Sequence, residues 1–255
     1  MINRHGLTTA AISVVALFAY SLPAAAVPIN YGDFVGATVN FLQVTEDSGT
    51  DPTPLYGSPT VSADTLDFNP VSFNASASEA GGVDTTDGTL TLMMRSQAGN
   101  FIDKIEFDEA GDFTLTGLSG TAFAAVRANF FLDIQEVDGV GITPINIATA
   151  MTFTPSNGDF DLVADGPGPL VNGIWSGLLM VDITQALIDN NIPFTNGATK
   201  VSVTFDNTLT ALSEAGTSAF IAKKDVGGVG ITVIPEPASM GLLALGALAM
   251  MGRRR

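Results

Sequence analysis

Val126-Arg127-Ala128-Asn129-Phe130-Phe131-Leu132-Asp133-Ile134-Gln135 is the stretch that decides the fold. Val126, Ala128, Phe130, Leu132 and Ile134 fall on one side of an extended chain. Arg127, Asn129, Asp133 and Gln135 fall on the other, with Phe131 the exception. Successive side chains of a strand face opposite ways, so this run is a strand with one buried and one wet face. Phe131 on the wet side predicts a loop that covers the outer face there.

Outward from this strand, short runs rich in Val, Thr and Phe recur between Gly, Pro, Asn and Asp. Before it lie residues 39–44, 65–68, 71–73, 89–94 and 101–107. A polar loop over residues 45–56 holds Glu46, Asp47 and Asp51. Glu106 to Asp112 reads as a strand end followed by an acidic turn, with the next strand at 113–116. After the opening stretch come 142–153, 160–163, 174–181, 200–205, 209–212, 218–221 and 229–234. Asn157-Gly158 is the strongest hairpin signal and predicts pairing of 151–154 with 160–163. Asp182 is a fitting N-cap for one short helix, since Ile183, Ala186 and Leu187 share a helical face before Asn190-Asn191 and Pro193. Many short strands without long helices predict an all-β fold, an antiparallel β-sandwich of jelly-roll-like topology. A barrel or Greek-key sandwich would share the pattern.

Both ends of the chain read as addresses. Residues 1–26 combine Arg4, an apolar run over 7–22 and Ala24-Ala25-Ala26, the pattern of a secretory signal helix cleaved between Ala26 and Val27. At the other end, Pro235-Glu236-Pro237 precedes an apolar run over 238–251, then Gly252 and Arg253-Arg254-Arg255. The run is about 14 residues, short of the roughly 17–25 of an untilted membrane helix. Three terminal cations suit the cytoplasmic side of an inner membrane. The expected organisation is a signal peptide (1–26), an acidic β-sandwich (27–234) and a sorting tail (235–255) with a short transmembrane helix at 238–252.

That tail resembles the PEP-CTERM sorting signal of Gram-negative bacteria, through Pro235, Glu236, Pro237, the short helix and Arg253, Arg254 and Arg255. The resemblance implies export through the Sec translocon, transient residence in the inner membrane and removal of the tail by an exosortase-type enzyme. It also implies a setting of exopolysaccharide or biofilm, with a final place in the periplasm, at the cell surface or in the extracellular matrix.

Trimming the two ends leaves twenty-five acidic residues against six basic ones, Arg95, Lys104, Arg127, Lys200, Lys223 and Lys224. Nucleic acid is not expected as a partner, because its affinity rests on neutralising phosphates with cations. The chain has no cysteine, and its one histidine, His5, lies in the signal segment. Histidine- and cysteine-based nucleophile systems and the usual zinc, copper and haem ligand sets are therefore absent from the body.

Three kinds of site remain. Asp103, Glu106, Asp108, Glu109 and Asp112 form the densest acidic group, and oxygen ligands of a turn suit calcium, although the spacing is not that of an EF-hand. A solvated turn explains the same residues, as it does for Asp159, Asp161 and Asp165. Glycan binding would need aromatic platforms, and the body offers Trp175, Tyr31 and Tyr56; Trp175 sits where burial is the simpler fate. Glycosidase chemistry asks for two spaced carboxylates, a condition met by chance among so many. Lys223-Lys224 reads as a strand-end charge pair. No catalytic residue and no required cofactor is assigned, and the expected function is that of a non-enzymatic surface or matrix protein. A calcium- or glycan-binding module is the alternative, and a secreted glycosidase stands behind it.

Overall fold

The computed structural model describes residues 27–235 except 71, 80–81, 167 and 225–228. The signal segment with Ala24 and Ala26, and the tail with Glu236, Pro237 and Arg253–Arg255, lie outside the described residues. In chain order the strands are β1 (Ile29–Val35), β2 (Val39–Asp47), β3 (Thr60–Ser62), β4 (Thr65–Phe68), β5 (Asn74–Ser78), β6 (Gly82–Ser96), β7 (Ile102–Gly117) and β8 (Ala122–Val137). There follow β9 (Val140–Ala150), β10 (Thr152–Thr154), β11 (Asp159–Asp161), β12 (Leu170–Asp182), the helix α1 (Ile183–Asp189), β13 (Ala198–Ser213), β14 (Thr217–Lys223) and β15 (Val229–Pro235).

Every pairing is antiparallel, as the alternating pattern predicts. One layer runs β1-β2-β6-β13-β8, with β9 and β11 end to end on the outer edge of β8. The other is centred on β7, which has β12 and then β10 on one edge. Its second edge is shared by β15, backed by β4 and β3, and by β14, backed by β5. A single bridge, Ala198 to Ile102, joins the layers into one folded sheet that nearly closes.

Aromatic rings fill the space between the layers. Phe130 and Phe205 stack at 4.2 Å within the first layer, and Phe107 of β7 meets Phe130 at 4.5 Å from the other side. Further along, Phe113 of β7 stacks on Phe160 of β11 at 3.9 Å. Ring pairs of this kind add to the area each ring removes from water.

The opening stretch behaves as its alternation predicts: Val126, Ala128, Phe130, Leu132 and Ile134 are buried. Phe131 is 52% exposed between Thr204 and Ala148 of the flanking strands, so the covering loop expected there is not found. The helix begins as expected, with the Asp182 carboxylate accepting the Gln185 N–H at 2.8 Å and Ile183 and Leu187 buried beneath.

Four local expectations are corrected. The turn expected at 106–112 is continuous strand, the middle of β7. The runs 200–205 and 209–212 are likewise one strand, β13. Glu46 belongs to β2, not a loop; its buried carboxylate takes the N–H groups of Leu55, Tyr56 and Gly57 and the Tyr31 hydroxyl. Asn157-Gly158 does form a turn with positive φ, 53° and 80°. Its flanking strands never pair, because β10 adds to β12 in one layer and β11 to β8 in the other. The turn carries the chain across the sandwich.

The end of the sandwich near Pro235 is closed by Asp138, whose carboxylate accepts N–H groups from Thr195 (2.6 Å), Asn196 (2.9 Å) and Gly197 (3.1 Å). These bonds, that of Thr195 foremost, hold its pKa below the ordinary carboxylate value. A carboxyl lowered by the fold adds stability above its unfolded pKa of about 4, lost as the pH falls through the lowered value. Asp138→Asn is expected to lower the Tm at about pH 7 and to match the parent near pH 2. In urea titrations, Phe205→Ala should cost about 3–5 kcal/mol, against under about 0.5 kcal/mol for Phe131→Ala.

Candidate functional site

Three strands, the long β7 and β13 and the seven-residue β14, each carry one charged or amide side chain within a run of apolar inward residues. On β7 the inward series is Ile105, Phe107, Glu109, Gly111, Phe113; on β13 it is Val203, Phe205, Asn207, Leu209; on β14 it is Ala219, Ile221, Lys223. The three polar residues meet at the centre of the sandwich. The side chains of Lys223 and Glu109 are wholly enclosed, and Asn207 is 0% exposed.

The Lys223 Nζ donates to Glu109 Oε2 at 2.6 Å and to Asn207 Oδ1 at 2.8 Å. The Asn207 Nδ2 donates to Glu109 Oε1, which closes a three-membered ring of contacts. Aromatic walls surround it: the Phe73 and Trp175 rings lie 5.0 and 5.4 Å from Nζ. Tyr56 stands beside Asn207 and donates its hydroxyl to the Gly88 carbonyl at 2.9 Å. Two glycines let these walls close. A Cβ on Gly111 would lie 2.3 Å from the Trp175 ring, and one on Gly88 would lie 2.6 Å from Phe73.

Enclosure decides the protonation chemistry. Burial raises the pKa of Glu109 against the opposing pull of the Lys223 charge and the hydrogen bonds from Lys223 and Asn207. Burial lowers that of Lys223 against the pull of Glu109. Both directions disfavour charge, so enclosure favours the neutral amine and the neutral acid relative to water. The Tyr56 hydroxyl is pushed far above its usual pKa, first by burial and then by the Glu109 charge.

The acids singled out in the sequence do not converge. Glu109 faces inward, while Glu106, Asp108 and Asp112 face outward along a straight strand, where same-face neighbours lie about 7 Å apart. Asp103 stands near the strand's start. Burial, then the charges of Glu106, Asp67 and Glu109, raises the pKa of Asp108. Among the described residues, no group of three or more acidic or histidine side chains is placed to hold a metal ion. Asp159 pairs with Arg127; Asp161 caps the N–H groups of Val163 and Ala164, and Asp165 that of Asp161. Trp175 is 1% exposed and Tyr56 is buried, so neither forms a surface platform for a sugar. Lys223 is a core residue, a correction to the strand-end pair, whereas Lys224 reaches Asp112 at 3.5 Å on the surface. That pair borders an outer groove of about 690 Å³, lined also by Ala110, Gly111, Thr154, Pro155, Ile174 and Ser176, with the buried Trp175 ring at its floor.

Nothing in the local sequence marks Asn207, and the acidic and basic neighbours of Glu109 and Lys223 make both resemble surface residues. The signal that places them inside is the alternation itself, which runs through Asp206-Asn207 and Asp108-Glu109 without a break.

The described fold ends at Pro235, paired with Ile102, and Val27 is exposed at its start. Residues 233–255 match the PEP-CTERM protein-sorting motif. That motif marks an exported protein of Gram-negative bacteria sorted by exosortase. No helix among the described residues is long and apolar enough to cross a membrane. No curated protein matches the chain. Among solved structures, the enzymatically active domain of tailspike protein 4 from bacteriophage CBA120 aligns at 15% identity over 75% of this chain, with a TM-score of 0.18. This chain spans 18% of that one.

Lys223→Ala strands the Glu109 carboxylate and is expected to cost about 3–5 kcal/mol in denaturant titrations. The double variant Glu109→Gln, Lys223→Met should recover much of that loss, giving a clear coupling energy in the double-mutant cycle.

Proposed function

We propose that this chain is a cell-surface or extracellular-matrix component that turns over no external substrate. Its tail holds it transiently in the inner membrane, with the three terminal arginines inside, until an exosortase-type enzyme releases the body. The observation that carries the reading is where the motif meets the fold. The matched residues begin at Val233, which is 2% exposed and donates its N–H to Asp64 at 2.9 Å, and β15 stays paired through Pro235. Cutting beyond Pro235 leaves every described strand whole, so release and stability are compatible.

The body supports a passive role. Its buried polar centre is sealed from solvent, its histidine and cysteine chemistry is nil, and its surface is strongly acidic, which favours solubility through like charge. A calcium- or glycan-binding module is the second reading, favoured by the outer groove with Asp112, Lys224, Ser176 and Thr154 at its rim. It would show as a rise in Tm with millimolar calcium or with the producer's exopolysaccharide.

Intact mass of the protein recovered from its host, fraction by fraction, tests the main reading. The expected species starts near Val27, ends between Pro235 and Pro237 and leaves the inner membrane; one that keeps Arg255 in that membrane would overturn it. Truncation after Pro235 should leave the Tm unchanged. Truncation after Thr232 removes the buried Val233 and should cost about 1.5–3 kcal/mol.

A further inference from the structure

We propose that Lys223 and Asn207 join through an intramolecular amide bond, with Glu109 carrying the protons. The reaction needs a neutral amine, a carboxamide within reach and an acid that touches both, all shielded from water. These are the contents of the sealed centre. Nζ lies 2.8 Å from Oδ1, the oxygen bonded to the Cγ it must attack, so a small shift of the amine brings it to the approach distance of about 3–3.5 Å for a reacting pair. The Phe73, Trp175 and Tyr56 walls keep water from competing and favour the uncharged amine, as for lysine nucleophiles in apolar pockets.

The step balances without any co-reactant. The Lys223 ammonium first gives one proton to Glu109, leaving a free lone pair on Nζ. That pair forms the new bond to Cγ while the Glu109 acid, reaching the carboxamide, stabilises the charge that develops on it. Glu109 then relays a proton from Nζ to Nδ2, the Cγ–Nδ2 bond breaks, and ammonia leaves. Of the three ammonium protons, one remains on the new amide, one departs in ammonia, and one stays on Glu109 or leaves with ammonia as ammonium. Nothing is oxidised or reduced.

The bond would tie β13 of one layer to β14 of the other, across the core of an exported chain that has no cysteine. Disulfides commonly supply such cross-links in exported proteins. Here an amide would do so, out of reach of thiol reductants.

Mass spectrometry of the folded full chain, read after denaturation, tests this. The parent protein should fall about 17 Da below its sequence mass, the loss of one ammonia. A glutamate-specific protease cuts after Glu214, between the two residues, and should leave the pieces holding Asn207 and Lys223 joined. Glu109→Gln, Asn207→Ala and Lys223→Met should each restore the full mass. A full-mass parent would overturn the proposal whatever the variants do. So would a deficit that maps to an Asn-Gly step such as Asn157-Gly158, where ring closure also expels ammonia, or one that persists in Lys223→Met.

Discussion

A carboxylate and an ammonium enclosed between two apolar layers have only each other and one amide to satisfy them. Glu109, Lys223 and Asn207 do so with every short contact used. Much of the surrounding architecture follows from keeping water out of that ring. Gly88 and Gly111 leave space into which Phe73 and Trp175 settle, and Tyr56 seals the side toward Asn207. Removing Glu109 or Lys223 alone would leave an uncompensated charge, and removing Asn207 would leave hydrogen-bonding groups of both unsatisfied. The sandwich is therefore committed to all three at once.

Much of the fold could be read from the sequence, because alternation is a local property. Val126 to Gln135 declared its buried face, and Asp182 declared the start of α1. Partners could not be read, since pairing joins residues far apart along the chain. Asn157-Gly158 shows the limit: the turn chemistry was correct, but which layer each flanking strand joins is decided by β12 and β8. Strand continuity was lost for a related reason. Acidic residues are rare in strands and rarer in cores, so Glu106 to Asp112 looked like a turn. Only the lysine on β14 makes a glutamate tolerable at position 109, and that compensation is non-local.

The same reasoning explains why the acidic composition misled. Charge counted along the chain suggests a cation site, but the pleat sends neighbouring acids to opposite faces and spaces the rest. Several of them serve the backbone instead. Glu46, Asp64 and Asp138 each gather two or three N–H groups from loops or a strand start. For these residues the negative charge is a structural fastener.

The position of β15 has a consequence for the order of events in time. It is the last of the described strands, and it fills the N-terminal half of an edge of β7, whose other half β14 already covers. A chain that emerges N-terminus first holds that half-edge open, with its hydrogen-bonding groups unspent, until residues 229–235 appear just ahead of the tail. Completion of the sheet and presentation of the sorting tail are thus nearly simultaneous. A molecule whose tail is caught before β15 docks would reach the membrane with a gap in its central strand.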